Sequence, residues 1–347
     1  MNYIIEKPLP SDTDLMLAAP LMDTDKTSIC AHRSDIKNIL RGLDKRVLLI
    51  IGPCSAWPEA AVLEYATRLR ELAHDVQDTV KIVMRVYPQK PRTIVGWMGS
   101  MYHPNPLSTP DIAEGLKHTR EMMLQVIRLG LPIASEAVFT SHRESFTQLL
   151  SWLAIGARSS EDQERRIFAS SLDIPVGLKN PRHGVLDIGV HSIIAAQRSH
   201  TSVLDGHQIR TLGNPYAHLV LRGGNNKPNY SIPHLEFVQQ AMRQHNISHP
   251  SVLIDASHDN CSVNGVKNHR LQPQIIQDVL TSLQTRDDLR FLVKGFMLES
   301  FIKDGNQAID CDQMDTAGLS ITDPCLGWEE TADCVKQVAG FLRNMTT

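Results

Sequence analysis

The chain reads as an α/β protein, a (β/α)8 TIM barrel with an N-terminal extension. Eight short apolar runs recur along its 347 residues, nearly every run closes on a reactive side chain, and segments of helical spacing lie between them. The closing residues are, in order, Cys54, Arg85, Glu136, Arg158, Lys179, Arg222, His258 and Glu299. A (β/α)8 barrel assembles its active site in this way, from side chains at the C-terminal ends of several strands.

The runs begin with RVLLIIGPC (46–54), VKIVMRVY (80–87), LPIASEAV (131–138) and LAIGAR (153–158). They continue with IPVGLKN (174–180), HLVLRGG (218–224), SVLIDASH (251–258) and RFLVKGFMLE (290–299). Leucine and β-branched residues dominate, and most runs stay apolar without alternation, as parallel strands covered on both faces require. Apolar residues spaced at three and four predict helices over 59–76, 111–130, 142–153, 161–172, 190–199, 234–246, 273–284 and 328–344. Strand alternating with helix is the pattern of a parallel α/β fold. Residues 1–45 break the alternation, with a proline-punctuated stretch (KPLPSDTDLMLAAPLMD) and a helix candidate (SDIKNILRGL). The expected organisation is an extension, 1–45, that caps the bottom of the barrel, forms a disordered arm or serves an oligomer or effector role, and a catalytic barrel, 46–347.

A net charge of −3 gives no global reason to expect nucleic acid or an acidic membrane surface. No apolar run approaches the roughly 20 residues that span a bilayer, and the polar opening MNYIIEKPLPSDTD lacks a signal-peptide core. The expectation is a cytoplasmic protein with no membrane partner. The six cysteines, Cys30, Cys54, Cys261, Cys311, Cys325 and Cys334, are too scattered for a disulfide framework. Most are packing residues, and Cys54 stands apart because it ends a strand.

Arg85, Arg158, Lys179 and Arg222 all sit at strand ends, and Lys90 and Arg92 follow in the loop after the second strand. A rim salt bridge explains any one of them, but not the set. Cations converging on one mouth repel unless a polyanion fills it, and arginine forks match phosphate and carboxylate oxygens. At least two anionic groups are therefore expected in the ligands. Cys54, His258, Glu299 and the loop residue Asp323 form a second set. One thiolate, one imidazole and two carboxylates suit a borderline divalent ion such as Mn²⁺, Fe²⁺, Co²⁺ or Zn²⁺. Barrel closure makes the first and eighth strands neighbours, with the seventh beside them, so the four can meet. Cys325, two residues beyond Asp323, would approach Cys54 if the loop folds inward, and oxidation of that pair would remove a metal ligand.

GPCS (52–55), MRVY with KPRT (84–93), Gly96-Trp97, SWLAIGAR (151–158), PVGLKN (175–180) and LRGG with PNYS (221–231) continue into IDASH (254–258), Glu299-Ser300, DGNQ (304–307) and SITDPCLGWEET (320–331). In this order and over this span the chain resembles the microbial type I 3-deoxy-D-arabino-heptulosonate 7-phosphate (DAHP) synthases that carry an N-terminal extension. The resemblance implies condensation of phosphoenolpyruvate with erythrose 4-phosphate, releasing phosphate, the first step of the shikimate pathway to aromatic amino acids. It implies that Arg158, Arg222 and Lys179 hold the phosphoenolpyruvate phosphate, with Arg85 and Lys179 reaching its carboxylate. Lys90, Arg92 and Thr93 would bind the sugar phosphate, Glu136 would order a water, and Cys54, His258, Glu299 and Asp323 would hold the metal. Lys90, Lys179, His258 and Glu136 are the expected catalytic groups. A homodimer or homotetramer is also implied.

The departures from the family pattern lie in loops. Ala56-Trp57-Pro58 stands for Ile-His-Asp, Met98 for a lysine, His103 for an aspartate, and Pro181-Arg182-His183 for a softer turn. Arg165 takes the place of a histidine, and 202–214 is a shortened loop. Loops set acceptor choice and regulation on this fold, so the alternative is the same chemistry with another aldose phosphate in a secondary pathway. The run Lys90-Pro91-Arg92-Thr93 argues against the sibling octulosonate chemistry, and the intact ligand set argues against an inactive regulatory barrel. Phe139 and Arg143 stand where the family has aspartate and proline near its aromatic amino acid site, so feedback inhibition is expected to be weak or absent.

Overall fold

The computed structural model describes residues 1–346 except 139, 140, 205, 311 and 312. Phe139 and Cys311 thus lie outside the described residues. Eight parallel strands close a barrel: β1 Val47–Gly52, β2 Val80–Arg85, β3 Ile133–Glu136, β4 Trp152–Ile155, β5 Val176–Lys179, β6 Ala217–Leu221, β7 Val252–Asp255 and β8 Val293–Glu299. Neighbours in the ring are neighbours in sequence, and β8 returns to pair with β1. All eight apolar runs are strands, several of them shorter at their C-terminal ends than the runs. The reactive residues there lie on the last strand residue or in the loop just past it.

The helices are α1 Asp12–Ala18, α2 Asp23–Arg41, α3 Glu59–Asp75, α4 Ile112–Arg128, α5 Arg143–Thr147, α6 Gln163–Ser171, α7 Leu186–Gln197, α8 Ile232–Gln244, α9 Gln272–Ser282, α10 Asp287–Arg290 and α11 Trp328–Thr346. The expected helix over 142–153 is corrected to the single turn of α5. The chain leaves it through 146→149 and 147→150 carbonyl bonds, and Ser151 N–H donates to Ile133 O, so Trp152 and Leu153 join the sheet. In the extension the candidate helix is longer than expected, starting at Asp23, and Gly42 ends it in the left-handed conformation at φ 75°. Two hairpins were not anticipated, Thr201–Leu204 with His207–Arg210 and Ser262–Val263 with Val266–Lys267.

Alternation along β1 explains how the core divides. Leu49 and Ile51 face outward to the helices, whereas Leu48 and Ile50 face inward with Val83, Ala134, Trp152, Val220, Leu253 and Met297. Ile36, Ile39 and Leu40 of α2 join this inner cluster, so α2 plugs the end of the barrel opposite the strand C-termini. Arg33 fastens the plug, its Nε donating to Leu150 O at 2.8 Å and Nη2 to Thr147 O at 2.9 Å. Inside the barrel, Trp152 Nε1 donates to His218 Nε2 at 3.1 Å, and His218 Nδ1 donates to Tyr216 O at 2.8 Å. Burial pushes the His218 pKa down to about 4, which keeps the ring neutral and able to accept.

Gly177 leaves room for that indole: a Cβ there would lie 2.2 Å from Trp152 Cζ2 and 2.8 Å from Val220 Cγ2. Because the hydrogen bond to His218 prevents the ring from turning away, Gly177→Ala is expected to cost at least about 1–3 kcal/mol. Urea unfolding followed by circular dichroism measures this, and an unchanged midpoint would contradict the packing account.

Candidate active site at the strand termini

Strand register puts the reactive groups on one level. Gly52 pairs with Glu299 and Ile51 with Met84, so Arg85 and Glu299 flank the end of β1, with Cys54 two residues beyond. Lys179 ends β5, Arg222 follows β6, and His258 opens a 3-10 turn after β7 with its backbone at φ 56°.

Donor atoms of Cys54, Glu299 and Asp323 all lie within 4.8 Å of one another. His258 stands at the edge of this group, its Nε2 3.8 Å from Glu299 Oε1 and its Nδ1 2.8 Å from Asp255 Oδ2. A carboxylate behind an imidazole is the arrangement that orients metal-ligating histidines, and the thiol, imidazole and carboxylate donors together fit a borderline divalent ion. Burial raises the Glu299 carboxyl pKa, but Lys267, His258, Arg85 and Lys90 more than offset this and hold it well below the usual range. Burial pushes the Cys54 thiol up, Glu299 adds to the effect, and the Lys90 ammonium opposes it. That ammonium donates to Cys54 O at 2.7 Å and to Cys54 Sγ at 3.1 Å. Cys325 Sγ accepts the Cys54 N–H at 3.3 Å, so the two cysteines are adjacent, and both are free thiols.

The cations fall into two groups. Arg85 is buried, with Nη2 donating to Glu299 Oε1 at 3.0 Å and its guanidinium 4.0 Å over the Tyr87 ring. Lys179 is also buried, 3.2 Å from Asp255 Oδ2 and 4.0 Å from Glu136 Oε2. Arg222 pairs with Asp259 at 2.9 Å. Arg92, Thr93 and Arg158 are exposed at the mouth, where Arg158 Nη2 donates to Thr93 Oγ1 at 3.0 Å and Arg92 Nε to Trp97 O at 2.7 Å. Burial lowers the Arg158 pKa, and the neighbouring Arg182 lowers it further. Arg165 donates to Val138 O at 2.9 Å, beside the third strand's loop.

Three residues at the site were missed by the sequence reading. Asp255 ends β7 and is fully buried, held in its ionised form against burial by His258 and Lys179. Asp259 neutralises Arg222. Lys267 contacts Glu299 Oε2 and lies 3.4 Å from Asp323 Oδ2. The strand-end pattern could have found Asp255, which is the last residue of a strand, and the Asn264-Gly265 turn signal could have found the hairpin that carries Lys267.

The DAHP synthetase I family model matches residues 22–336. The chain is 38% identical over 336 residues to the Trp-sensitive phospho-2-dehydro-3-deoxyheptonate aldolase of Escherichia coli K12, covering 95% of this chain and 94% of the relative. Identity is 34% over 348 residues to the phospho-2-dehydro-3-deoxyheptonate aldolase of Corynebacterium glutamicum, covering 96% and 92%. The solved structure of the Francisella tularensis SCHU S4 enzyme of that name superposes with a TM-score of 0.91 at 32% identity, covering 99% of each chain. With its barrel and the reactive residues at its strand ends, the chain belongs to the DAHP synthetase I family.

Proposed function

We propose that the chain is a 3-deoxy-7-phosphoheptulonate synthase that condenses phosphoenolpyruvate with erythrose 4-phosphate, using a divalent metal held by Cys54, His258, Glu299 and Asp323. The single observation that carries this reading is the meeting of Cys54, Glu299 and Asp323 donors within 4.8 Å, beside a mouth lined by Arg85, Lys179 and Arg222. Mn²⁺, Fe²⁺, Co²⁺ and Zn²⁺ all suit these donors. A metal bound there supplies Lewis-acid polarisation of the acceptor aldehyde.

The chain's own residues do the remaining work. Arg158, Arg222 and Lys179 bind the phosphoenolpyruvate phosphate and stabilise it as it leaves; Arg85 and Lys179 orient the carboxylate. Lys90, Arg92 and Thr93 grip the acceptor phosphate, with Lys90 also near enough to the thiolate side of the site to balance a developing alkoxide. Glu136 orders the water that adds at carbon 2 as carbon 3 attacks the aldehyde. The hemiketal phosphate so formed then loses inorganic phosphate. A cytoplasmic setting and a homodimer or homotetramer belong to the same reading, with the extension, 1–45, serving assembly or effector binding.

Phosphate release from phosphoenolpyruvate with Mn²⁺ is expected with erythrose 4-phosphate in preference to other aldose phosphates, and His258→Ala is expected to abolish it. Release only with a different sugar would move the protein to another pathway; no release with any would favour an inactive barrel. Asp255→Asn, which removes the carboxylate behind His258 and beside Lys179, is expected to weaken metal binding about 10–100-fold. Equilibrium dialysis against Mn²⁺ measures this, and unchanged affinity would remove Asp255 from the site.

Regulation is expected to differ from that of the relatives named Trp-sensitive and Tyr-sensitive. Arg143 lines a pocket with His142, Phe146, Thr147 and Phe168. Steady-state assays are expected to show weak or no inhibition by Phe, Tyr or Trp, and a low-micromolar inhibition constant for any of them would refute this.

A further inference from the structure

Lys267 brings a positive charge to the oxygens that the proposed metal would use. It is the last residue of the hairpin Ser262–Val263/Val266–Lys267, whose two-residue loop, Asn264-Gly265, takes φ 51° and 80°. That pair in that conformation makes a tight turn. Val263 and Val266 are exposed, so the arm buries little apolar surface of its own. Its base is closed by Asn268 N–H donating to Cys261 O at 2.9 Å, and the Lys267 ammonium, whose side chain is only 16% exposed, ties it to the site.

The ammonium contacts Oε2 of Glu299 and lies 3.4 Å from Oδ2 of Asp323. These carboxylates, with Cys54, form the group of donors within 4.8 Å. Zn²⁺, for one, binds carboxylate oxygen at about 2.0–2.2 Å. An ammonium and a dication cannot both sit between the same two carboxylates without strong repulsion at low dielectric. Lys90 already contributes one cation on the Cys54 side. Resting on the metal reading above, we propose that Lys267 is a tethered cation that competes with the divalent metal for Glu299 and Asp323 and so sets the metal affinity of the site. Metal entry displaces the ammonium, and the hairpin loosens with it because the lysine's contacts to Glu299 and Asp323 tie it to the site.

Isothermal titration of Mn²⁺ into the EDTA-treated full chain tests this. Lys267→Met is expected to lower the dissociation constant at least tenfold, while the thermal midpoint of the EDTA-treated protein falls because the acidic pair has lost a counter-charge. Lys267→Arg, which keeps a cation, is expected to bind Mn²⁺ within threefold of the wild type. In the wild type, amide exchange over 262–267 is expected to speed up on Mn²⁺ addition; this needs no variant and remains decisive if Lys267→Met fails to fold. A purely structural lysine would lower the thermal midpoint and leave Mn²⁺ affinity and exchange unchanged, which overturns the proposal, as does weaker binding by Lys267→Met. If the wild type binds no Mn²⁺, the metal reading itself fails and this inference falls with it.

Discussion

A carboxylate taken out of water must be matched by cations or give up its charge, and Glu299, 1% exposed at the end of β8, is matched from several directions. Arg85 reaches it across β1, Ser257 Oγ donates to Oε2 at 2.9 Å, Lys267 closes from the hairpin, and His258 stands 3.8 Å away. Its backbone is held as well, by Gln272 donating to Glu299 O at 2.9 Å and accepting from Glu299 N at 2.8 Å. Removing one partner from a buried pair of this kind typically costs about 3–5 kcal/mol. The convergence of three chain segments on one carboxylate therefore fixes β2, the end of β7 and the hairpin relative to β8, which carries it. Cys54 and Asp323 acquire their places as donors relative to this anchor.

The same bookkeeping sorts the cations by what they await. Lys179 and Arg222 lie within ion-pair distance of Asp255 and Asp259, so their charges are balanced before any ligand arrives. Among the described residues, no carboxylate lies within ion-pair distance of Arg92, Arg158 or Arg182, and the Arg182 charge lowers the Arg158 pKa. These outer cations gain most from a phosphate.

Much of this was legible in the chain. The eight runs and their order carried the barrel, because a parallel strand covered on both faces must be apolar throughout and its C-terminal end must carry the polar chemistry. Cys54, Glu299 and Asp323 could be grouped because ring closure brings the first and last strands together, although they are far apart in sequence. What escaped were residues whose role depends on a partner rather than on a strand end. Asp255 reads as one more residue of a strand until His258 and Lys179 are seen on either side of it. Lys267 reads as a surface lysine until the hairpin turns it inward. The 142–153 helix failed for a related reason: Leu149, Leu150, Trp152 and Leu153 satisfy helical spacing, but the sheet claims Trp152 for the barrel interior, where His218 receives its N–H.

On the proposed reading, the loop after β2 would let the chemistry be retained while the acceptor site changes. Its shape is set by backbone groups: Lys90 N–H donates to Met98 O at 2.9 Å, Arg92 Nε to Trp97 O at 2.7 Å, and Trp97 Nε1 to His103 O at 2.8 Å. None of these acceptors depends on the side chain at 98 or 103. Methionine in place of lysine at 98 therefore removes a charge without moving Lys90, Arg92 or Thr93, and histidine in place of aspartate at 103 removes an anion without releasing Trp97. On the proposed reading, the side chains at 98 and 103 would tune the field felt by the acceptor phosphate without altering the bond from Lys90 to Cys54 beneath them. Differences from the family in substrate preference should accordingly appear in the Michaelis constant for the sugar phosphate, and not in metal binding or in the affinity for phosphoenolpyruvate.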